Sequence, residues 1–281
     1  MKIALATSAV QRELDDELPL ILAALDDLGQ QGDICVWDDP DVDWSAYESV
    51  VVRSCWDYTG RRNAFVAWAY SIPHIHNHAD LIEWNTDKVY LRELQAEGIP
   101  IIETHWDVRG GDAIGDHAEW VCKPSVSGGA KDTARWGSAD EVYRHSEELL
   151  SAGRTSMVQP YIQSVDDEGE TAMLYIGGTF SHAIRKGALL ARGEGVSQTR
   201  DSRESITPRE PTRFQHELAE ATLAAVPTIL AKETDLLYAR VDLVTGPDGK
   251  PLLIELELTE PSLFLPHGIG AAERLAKALT A

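Results

Sequence analysis

Three carboxylates late in the sequence have a spacing that suits metal binding. Asp242 lies in one strand-like segment, and Glu255 and Glu257 lie in the next. Residues two apart on a strand share a face, so Glu255 and Glu257 project together, and a hairpin would bring Asp242 opposite them. Such hard oxygen ligands suit Mg²⁺. A solvated acidic face is the alternative, but the apolar residues that alternate with the acids favour a metal site.

A lysine beside small residues suggests an anion site. Lys123 ends an apolar segment and precedes a run that includes Ser127, Gly128 and Gly129. A triphosphate requires such an arrangement, because amide N–H groups and an ammonium together offset its charge. The run is not a Walker A sequence, since neither Gly-Lys-Ser nor Gly-Lys-Thr follows it, and an ordinary turn between strands is an equal alternative.

Other cations also lie beside predicted turns or strand ends. Lys88 opens a predicted helix, and Arg185, with Lys186 next to it, ends a predicted hairpin. Each of them alone is typical of a solvated side chain. The chain has only 25 basic residues against 46 acidic ones, so cations at three such positions indicate a shared anion site.

The elements that must position these side chains begin with an alternating pattern. The first hundred residues predict strands at 2–7, 33–37 and 49–53 and a helix at 18–28. This β-α-β order predicts a parallel sheet with crossover helices. A helix predicted at 87–97 and closed by Gly98 indicates a lobe boundary nearby.

The pattern from residue 119 onward indicates antiparallel sheets. Strands are predicted at 120–123 and 157–162, helices at 140–152 and 215–232, and hairpins joining 171–176 to 179–185 and 239–244 to 251–258. The segment 187–211 has no apolar period, and its length favours a functional loop such as a lid.

The motifs occur in a defined order between residues 85 and 275. They are Asp87-Lys88 with Leu91, Leu94 and Gly98-Ile99-Pro100, then Lys123-Pro124, then Gln159-Pro160-Tyr161-Ile162, then Asp242 with Glu255-Leu256-Glu257. This series resembles the signature of the ATP-grasp superfamily. The resemblance implies a mixed α/β and α+β fold with an N-terminal parallel-sheet lobe at 1–84. Two α+β lobes, at 85–156 and 157–281, would sandwich ATP.

The resemblance also implies roles for individual residues. Those near the nucleotide would be Lys88, Lys123, Ser127, Gly128 and Gly129 at the phosphates, the main chain of Gln159, Tyr161 and Ile162 at adenine, Glu168 or Glu170 at the ribose, and Arg185 at the γ-phosphate. Asp242, Glu255 and Glu257 would hold Mg²⁺. Many members carry Glu-x-Asn where this chain has Glu255-Leu256-Glu257. The coordination of a second metal therefore departs from that pattern, although Glu257 still supplies an oxygen.

The N-terminal third narrows the resemblance. The runs 52–58, 84–88 and 123–133 resemble the O-ureido-serine cyclo-ligases of cycloserine biosynthesis. Arg53 follows a buried strand, and we expect it to bind a substrate carboxylate, because strand ends of parallel sheets form crevices and Arg binds carboxylates bidentately. For the neighbouring Trp56 and Tyr58, packing between lobes is as good an interpretation as a role in the site, because aromatic residues often fill interfaces.

Composition excludes several classes of partner. The formal charge of −21 disfavours nucleic acid and anionic lipid, and no apolar run reaches membrane-spanning length. The first residues predict a strand rather than a signal segment. Three widely separated cysteines favour free thiols in the cytoplasm and a role as core filler, with Cys55 left open. The expected partner is a small amino-acid-like carboxylate, and a homodimer is left open.

The predicted activity is ligation driven by Mg-ATP. The substrate carboxylate would become an acylphosphate that a nitrogen displaces, with Arg185, Lys123 and Arg53 as the catalytic cations. In a cyclo-ligase the nitrogen belongs to the same molecule, which gives it a large effective molarity. An intermolecular amino-acid or peptide ligase is one alternative. A nucleotide-binding regulatory protein without catalysis is the alternative from another class.

Overall fold

The N-terminal lobe is a parallel sheet with flanking helices. In the computed structural model, which describes residues 1–197 and 205–281, the first sheet has the order β2-β1-β3. Its elements are β1 (Lys2–Thr7), α1 (Glu17–Asp27), β2 (Gln31–Val36), β3 (Ser49–Val52), α2 (Arg62–Ser71) and α3 (Ala79–Asn85). All four residues of β3 are buried, because helices cover both faces of a parallel sheet. The predicted β-α-β unit is confirmed.

The central sheet is antiparallel and has the order β4-β7-β5-β6. Its elements are α4 (Tyr90–Ala96), β4 (His105–Trp106), β5 (Trp120–Pro124), β6 (Ala134–Trp136), α5 (Ala139–Ser151) and β7 (Ser156–Pro160). Val142 and Leu149 of α5 pack against Cys122 and Val158 of the sheet. Strand β7 pairs with β5, so it belongs to this sheet, although the predicted boundary at 156/157 assigned it to the next lobe. The lobe boundaries themselves stay predictions.

The third sheet is antiparallel and has the order β10-β9-β8-β11-β12. Its elements are α6 (Ser164–Asp167), β8 (Glu170–Ile176), β9 (Thr179–Lys186), β10 (Ile206–Pro208), α7 (Arg213–Leu230), β11 (Tyr238–Thr245), β12 (Pro251–Glu257) and α8 (Ala271–Leu279). Gly177 and Gly178 both have positive φ, as a tight hairpin turn requires. Both predicted hairpins are confirmed.

The predicted loop at 187–211 is partly wrong. Ile206–Pro208 forms β10, which pairs with the end of β9. Residues 198–204 of this segment lie outside the described residues, and its assignment as a lid stays a prediction.

Helix α8 packs in the same apolar core as helix α1. Leu275 and Leu279 of α8 are buried in one cluster with Ile21 and Leu25 of α1. The same cluster includes Leu174 of β8, so this core joins the N-terminal lobe to the third sheet.

The outer edge of β12 is covered by residues that precede the central sheet. Asn85 donates through Nδ2 to the carbonyl of Leu256 at 2.8 Å and accepts from the amide of Leu258 at 2.7 Å. The hydroxyl of Tyr90 accepts from the amide of Leu256 at 2.9 Å, and Leu253 bonds with the main chain at Pro100. These contacts occupy edge groups that would otherwise stay unpaired, and they hold the acidic strand in place.

The three cysteines are buried free thiols, as core filler would be. Burial raises the pKa of Cys55 well above its ordinary value, so its thiol stays neutral. Within the described ranges, no helix combines the length and apolar character needed to cross a bilayer.

Candidate active site

A cavity of about 560 Å³ lies where the three sheets meet. The N-terminal lobe contributes the segment 56–60, the central sheet contributes Lys123 and the loop at 127–131, and the third sheet contributes Glu255 and Glu257. This volume is in the range of small-molecule sites.

The three predicted metal-binding acids come together in this cavity region. One carboxylate oxygen from each of Asp242, Glu255 and Glu257 lies within 4.8 Å of the others. Asp242 faces Glu255 directly in the ladder, and a register shift follows between Asp242 and Leu243. Asp242 is fully buried, whereas the two glutamates are partly accessible.

Two cations that the sequence interpretation did not assign to this group lie among the acids. Arg240 donates to both carboxylate oxygens of Asp242, at 2.8 and 3.0 Å, and also to Glu257. Lys186 donates to Asp242 at 3.0 Å and to Glu170 at 2.9 Å. Strand alternation was the available signal for Arg240, which lies two residues before Asp242 and therefore on the same face.

The pKa values of the acids show that burial and repulsion within the group fall mainly on Glu257. Burial opposes ionisation of Asp242 and Glu255, but the neighbouring cations outweigh it and hold the pKa of both below the ordinary range. Burial, with Glu255 and Asp242 nearby, raises the pKa of Glu257 to about 7 despite Arg240. A divalent cation would relieve this repulsion, and the oxygen-only donor set fits Mg²⁺.

Two lysines face the acids from the central sheet side. Lys88 donates to the carbonyl of Ser127 at 2.7 Å and lies 3.1 Å from Glu255. Lys123 is half-buried and has no ion pair or hydrogen bond with a described residue through its ammonium group. Burial and the nearby Lys88 lower its pKa, while Glu255 opposes the shift. Lys123 is therefore a cation available for a ligand.

The small-residue loop also lines the cavity. Ser127, Gly128 and Gly129 form part of its wall, and Gly129 has a φ of +60°. Gly128 is exposed, so its backbone is accessible to a ligand. The structure thus brings together the loop, both lysines and the acids.

The segment predicted to meet adenine forms another wall. Gln159, Tyr161 and Ile162 line the cavity at the end of β7, as does Ile254 of the acidic strand, which packs in one apolar cluster with Tyr161 and Ile162. The guanidinium of Arg135 lies 3.5 Å from the centre of the Tyr161 ring, which fixes this wall from behind. An apolar wall of this kind suits a planar base.

The two candidate ribose ligands are separated by the structure. Glu170 lines the cavity beside Lys186. Glu168 is exposed, does not line the cavity, and accepts a hydrogen bond from Thr245 at 2.8 Å. Of the two, Glu170 lines the cavity and Glu168 does not, and the choice between them at the ribose stays a prediction.

The structure places Arg185 outside the lining of the cavity. Arg185 donates to the carbonyl of Glu168 at 2.6 Å, and its ladder partner Thr171 accepts from Gln215 of α7 on the far side of the sheet. Successive residues of a strand point to opposite faces, so the cavity receives Lys186 instead.

The structure places Arg53 in a buried ion pair. Its side chain is 1% exposed, pairs with Glu17 at 2.9 Å and donates to the carbonyl of Pro261 at 2.9 Å. Arg53 does not line the cavity. It lies behind the loop that follows the acidic strand, and there it contacts no space open to a substrate.

The wall nearest the N-terminal lobe is aromatic and acidic. Trp56, Tyr58 and Glu260 line it, together with Ser8 and Gln11. Tyr58 also stacks on a buried phenylalanine of α2, so it both packs the lobe and faces the cavity. Burial and the nearby Glu257 raise the pKa of Glu260 to about 8, although Tyr58 opposes the shift. The sequence interpretation missed Glu260, which lies in a turn after the acidic strand.

Comparison with known proteins places this geometry among ligases. Residues 3–79 match a family model described as the N-terminal domain of D-cycloserine synthetase DcsG. The chain is 37% identical to the cycloserine biosynthesis protein DcsG of Streptomyces lavendulae, over 99% of this chain and 97% of that protein. A crystal structure of D-cycloserine synthetase DcsG matches with a TM-score of 0.90 and 35% identity, covering 99% and 98% of the two chains. D-alanine–D-alanine ligase from Bacillus anthracis shares the fold, with a TM-score of 0.67, 17% identity and coverage of 100% and 96%.

Proposed function

We propose that this chain, which belongs to the D-cycloserine synthetase (DcsG) family of ATP-grasp ligases, cyclises O-ureido-serine to cycloserine with ATP as the energy source. The observation that carries the proposal is the single cavity in which Lys88, Lys123 and the acids of β12 face an aromatic and acidic wall of the N-terminal lobe. The side with the lysines and the acids suits a nucleoside triphosphate, and the side at the N-terminal lobe has room for a small amino-acid-like carboxylate.

The cations of the cavity support phosphoryl transfer. Lys88 and Lys186 are held by acids, whereas the ammonium of Lys123 is paired with no described residue. These ammonium groups would stabilise the negative charge that develops on the γ-phosphoryl group, and they need no rearrangement to do so. Asp242, Glu255 and Glu257 would hold Mg²⁺, which when bound withdraws charge from phosphate oxygens.

The first chemical step would activate the substrate carboxylate. One of its oxygens attacks the γ-phosphorus, the bond to the β-phosphate oxygen breaks, and ADP leaves. The product is an acylphosphate whose leaving group is phosphate. The surrounding walls favour this step by excluding water that would hydrolyse the acylphosphate.

The second step would close the ring. The oxygen-bound ureido nitrogen attacks the acyl carbon, phosphate leaves, and the nitrogen loses its proton to form a five-membered ring. Hydrolysis of the carbamoyl group on that nitrogen then leaves cycloserine, carbon dioxide and ammonia. Because the nucleophile belongs to the same molecule, the protein mainly has to fold the substrate toward its own carboxylate.

Mass spectrometry of products from O-ureido-serine and Mg-ATP, with no added amine, tests the proposal. We expect cycloserine together with ADP and phosphate, and none of these with Glu255→Gln. ADP release only when a second amine is supplied would indicate an intermolecular ligase instead. Binding of ATP without ADP release over a panel of amino acids would indicate a regulatory protein.

A further inference from the structure

One carboxylate of the cavity wall differs from the others in lacking a cation. Five carboxylates line the cavity, and four of them form ion pairs: Asp57 with Arg61, Glu170 with Lys186, Glu255 with Lys88, and Glu257 with Arg240. Glu260 has no ion pair with any cation in the described ranges. A partly buried carboxylate without a counter-ion costs free energy, so this position suits a cation that arrives with a ligand.

The same carboxylate lies apart from the metal-binding acids. The group of oxygens within 4.8 Å of one another comprises Asp242, Glu255 and Glu257 and does not include Glu260. The side chain that forms a hydrogen bond with Glu260 is that of Tyr58, a residue of the N-terminal lobe, while the charge of Lys88 acts on Glu260 without forming an ion pair with it. The cation expected here is therefore different from the metal ion.

The main chain that carries Glu260 is fixed on both sides. Trp56 donates through its indole N–H to the carbonyl of Glu260 at 3.0 Å, and Arg53 donates to the carbonyl of Pro261 at 2.9 Å. The hydroxyl of Tyr238 donates to the carbonyl of Thr259 at 2.9 Å. These hydrogen bonds hold the main chain in place. The carboxylate of Glu260 therefore stays at the cavity wall, although full exposure to water would lower the free energy of its charged form.

We propose that Glu260 binds the α-ammonium group of the substrate, with the Tyr58 hydroxyl beside it. An amino acid presents this ammonium one carbon from the carboxylate that must reach the phosphoryl group. Contacts at Glu260 would therefore set which side of the substrate faces the acids of β12. The inference rests on the proposed function for the identity of the substrate, and it adds a residue that selects α-amino acids over simple carboxylic acids.

Two substrates and one conservative variant test this role. The substrates are O-ureido-serine and its des-amino analogue, 3-(ureidooxy)propanoate, and the variant is Glu260→Gln. We expect the variant to lose about 10- to 100-fold in kcat/KM for O-ureido-serine, mainly through KM, as loss of one charge-assisted hydrogen bond predicts. Turnover of the des-amino analogue, the KM for ATP and the dependence on Mg²⁺ should stay near those of the wild type.

The matched control is Glu97→Gln, which makes the same substitution at an exposed position after α4 and should leave both substrates unaffected. Equal losses on the two substrates in Glu260→Gln, with an unchanged melting temperature, would overturn the inference and assign Glu260 to catalysis or metal binding. If the wild type makes no product from O-ureido-serine, the proposed function fails separately. Calorimetric titration with serine and 3-hydroxypropanoate, in the presence of Mg-ADP, then decides the inference, and equal affinities would overturn it.

Discussion

Replacing Arg53 by methionine should destabilise the fold more than it impairs chemistry. Arg53 pairs with Glu17 at 2.9 Å, and both side chains are less than a tenth exposed. Methionine fills much of the space but leaves the carboxylate of Glu17 buried without its cation. Breaking a buried pair from one side costs about 3–5 kcal/mol, which corresponds to a fall of about 6–20 °C in Tm at about 2–4 °C per kcal/mol.

The loss should depend on pH in a defined direction. Burial raises the pKa of Glu17 above its ordinary value of 4.5, even though Arg53 opposes the shift. A carboxyl group whose pKa is raised by folding binds its proton more tightly in the native state, so stability falls as pH rises through that pKa. Without Arg53 the pKa rises further. The destabilisation of Arg53→Met should therefore be larger at pH 8 than at pH 5.

Urea denaturation of the wild type, Arg53→Met, and the double variant with Glu17→Gln measures both effects. The double variant should recover much of the stability, since the amide removes the buried charge. Steady-state kinetics should show a moderate rise in KM for the amino-acid substrate, because the loop at Pro261 loses an anchor. The opposite result, with wild-type stability and a large loss of amino-acid kcat/KM, would refute this reasoning and place Arg53 against the substrate carboxylate.

Three further substitutions test the cavity. Glu255→Gln should abolish Mg-dependent ADP release while circular dichroism stays that of the wild type, and a near wild-type rate would remove Glu255 from the metal site. Lys186→Met should lower kcat by about 10²-fold or more, as loss of a transition-state charge contact does. Arg185→Met should keep kcat within a few fold of the wild-type value. The reverse ranking would assign Arg185 to the γ-phosphate. Lys123→Ala should weaken ATP binding in calorimetry but leave adenosine binding unchanged, and equal losses would mean that Lys123 does not act through phosphate.

Local patterns in the sequence predicted the N-terminal β-α-β unit, both hairpins and the acidic group, whereas the arrangement of three lobes was implied by the resemblance to ATP-grasp enzymes. Period-two alternation and the Gly-containing turns predicted both hairpins, and the hairpin geometry alone brought Asp242 opposite Glu255. These features depend on residues within about twenty positions of each other. The short range is the physical reason that they could be predicted.

The site residues that the structure places away from the cavity differ from expectation in strand phase and in long-range pairing. Arg185 and Lys186 are adjacent cations on one strand, so their side chains point to opposite faces of the sheet. Shifting the assignment by one residue therefore moves the predicted cation from the cavity face to the far face. Arg53 could not be placed because its partners are Glu17 in the first helix and the carbonyl of Pro261, which lies 208 residues away in sequence. No local sequence pattern identifies a hydrogen-bond partner that is so distant in sequence. Glu260 was missed because its distinguishing property, the lack of an ion pair with any described residue, exists only in the folded cavity.

The packing of α8 against α1 has a consequence for synthesis on the ribosome. Ile21 and Leu25 are made early, but Leu275 and Leu279, which help to cover them, follow about 250 residues later. At about 5–20 residues per second, this interval is roughly 12–50 s, during which the apolar side of α1 lacks its final cover. This apolar surface of the nascent N-terminal lobe therefore stays open to chaperones until α8 has been synthesised.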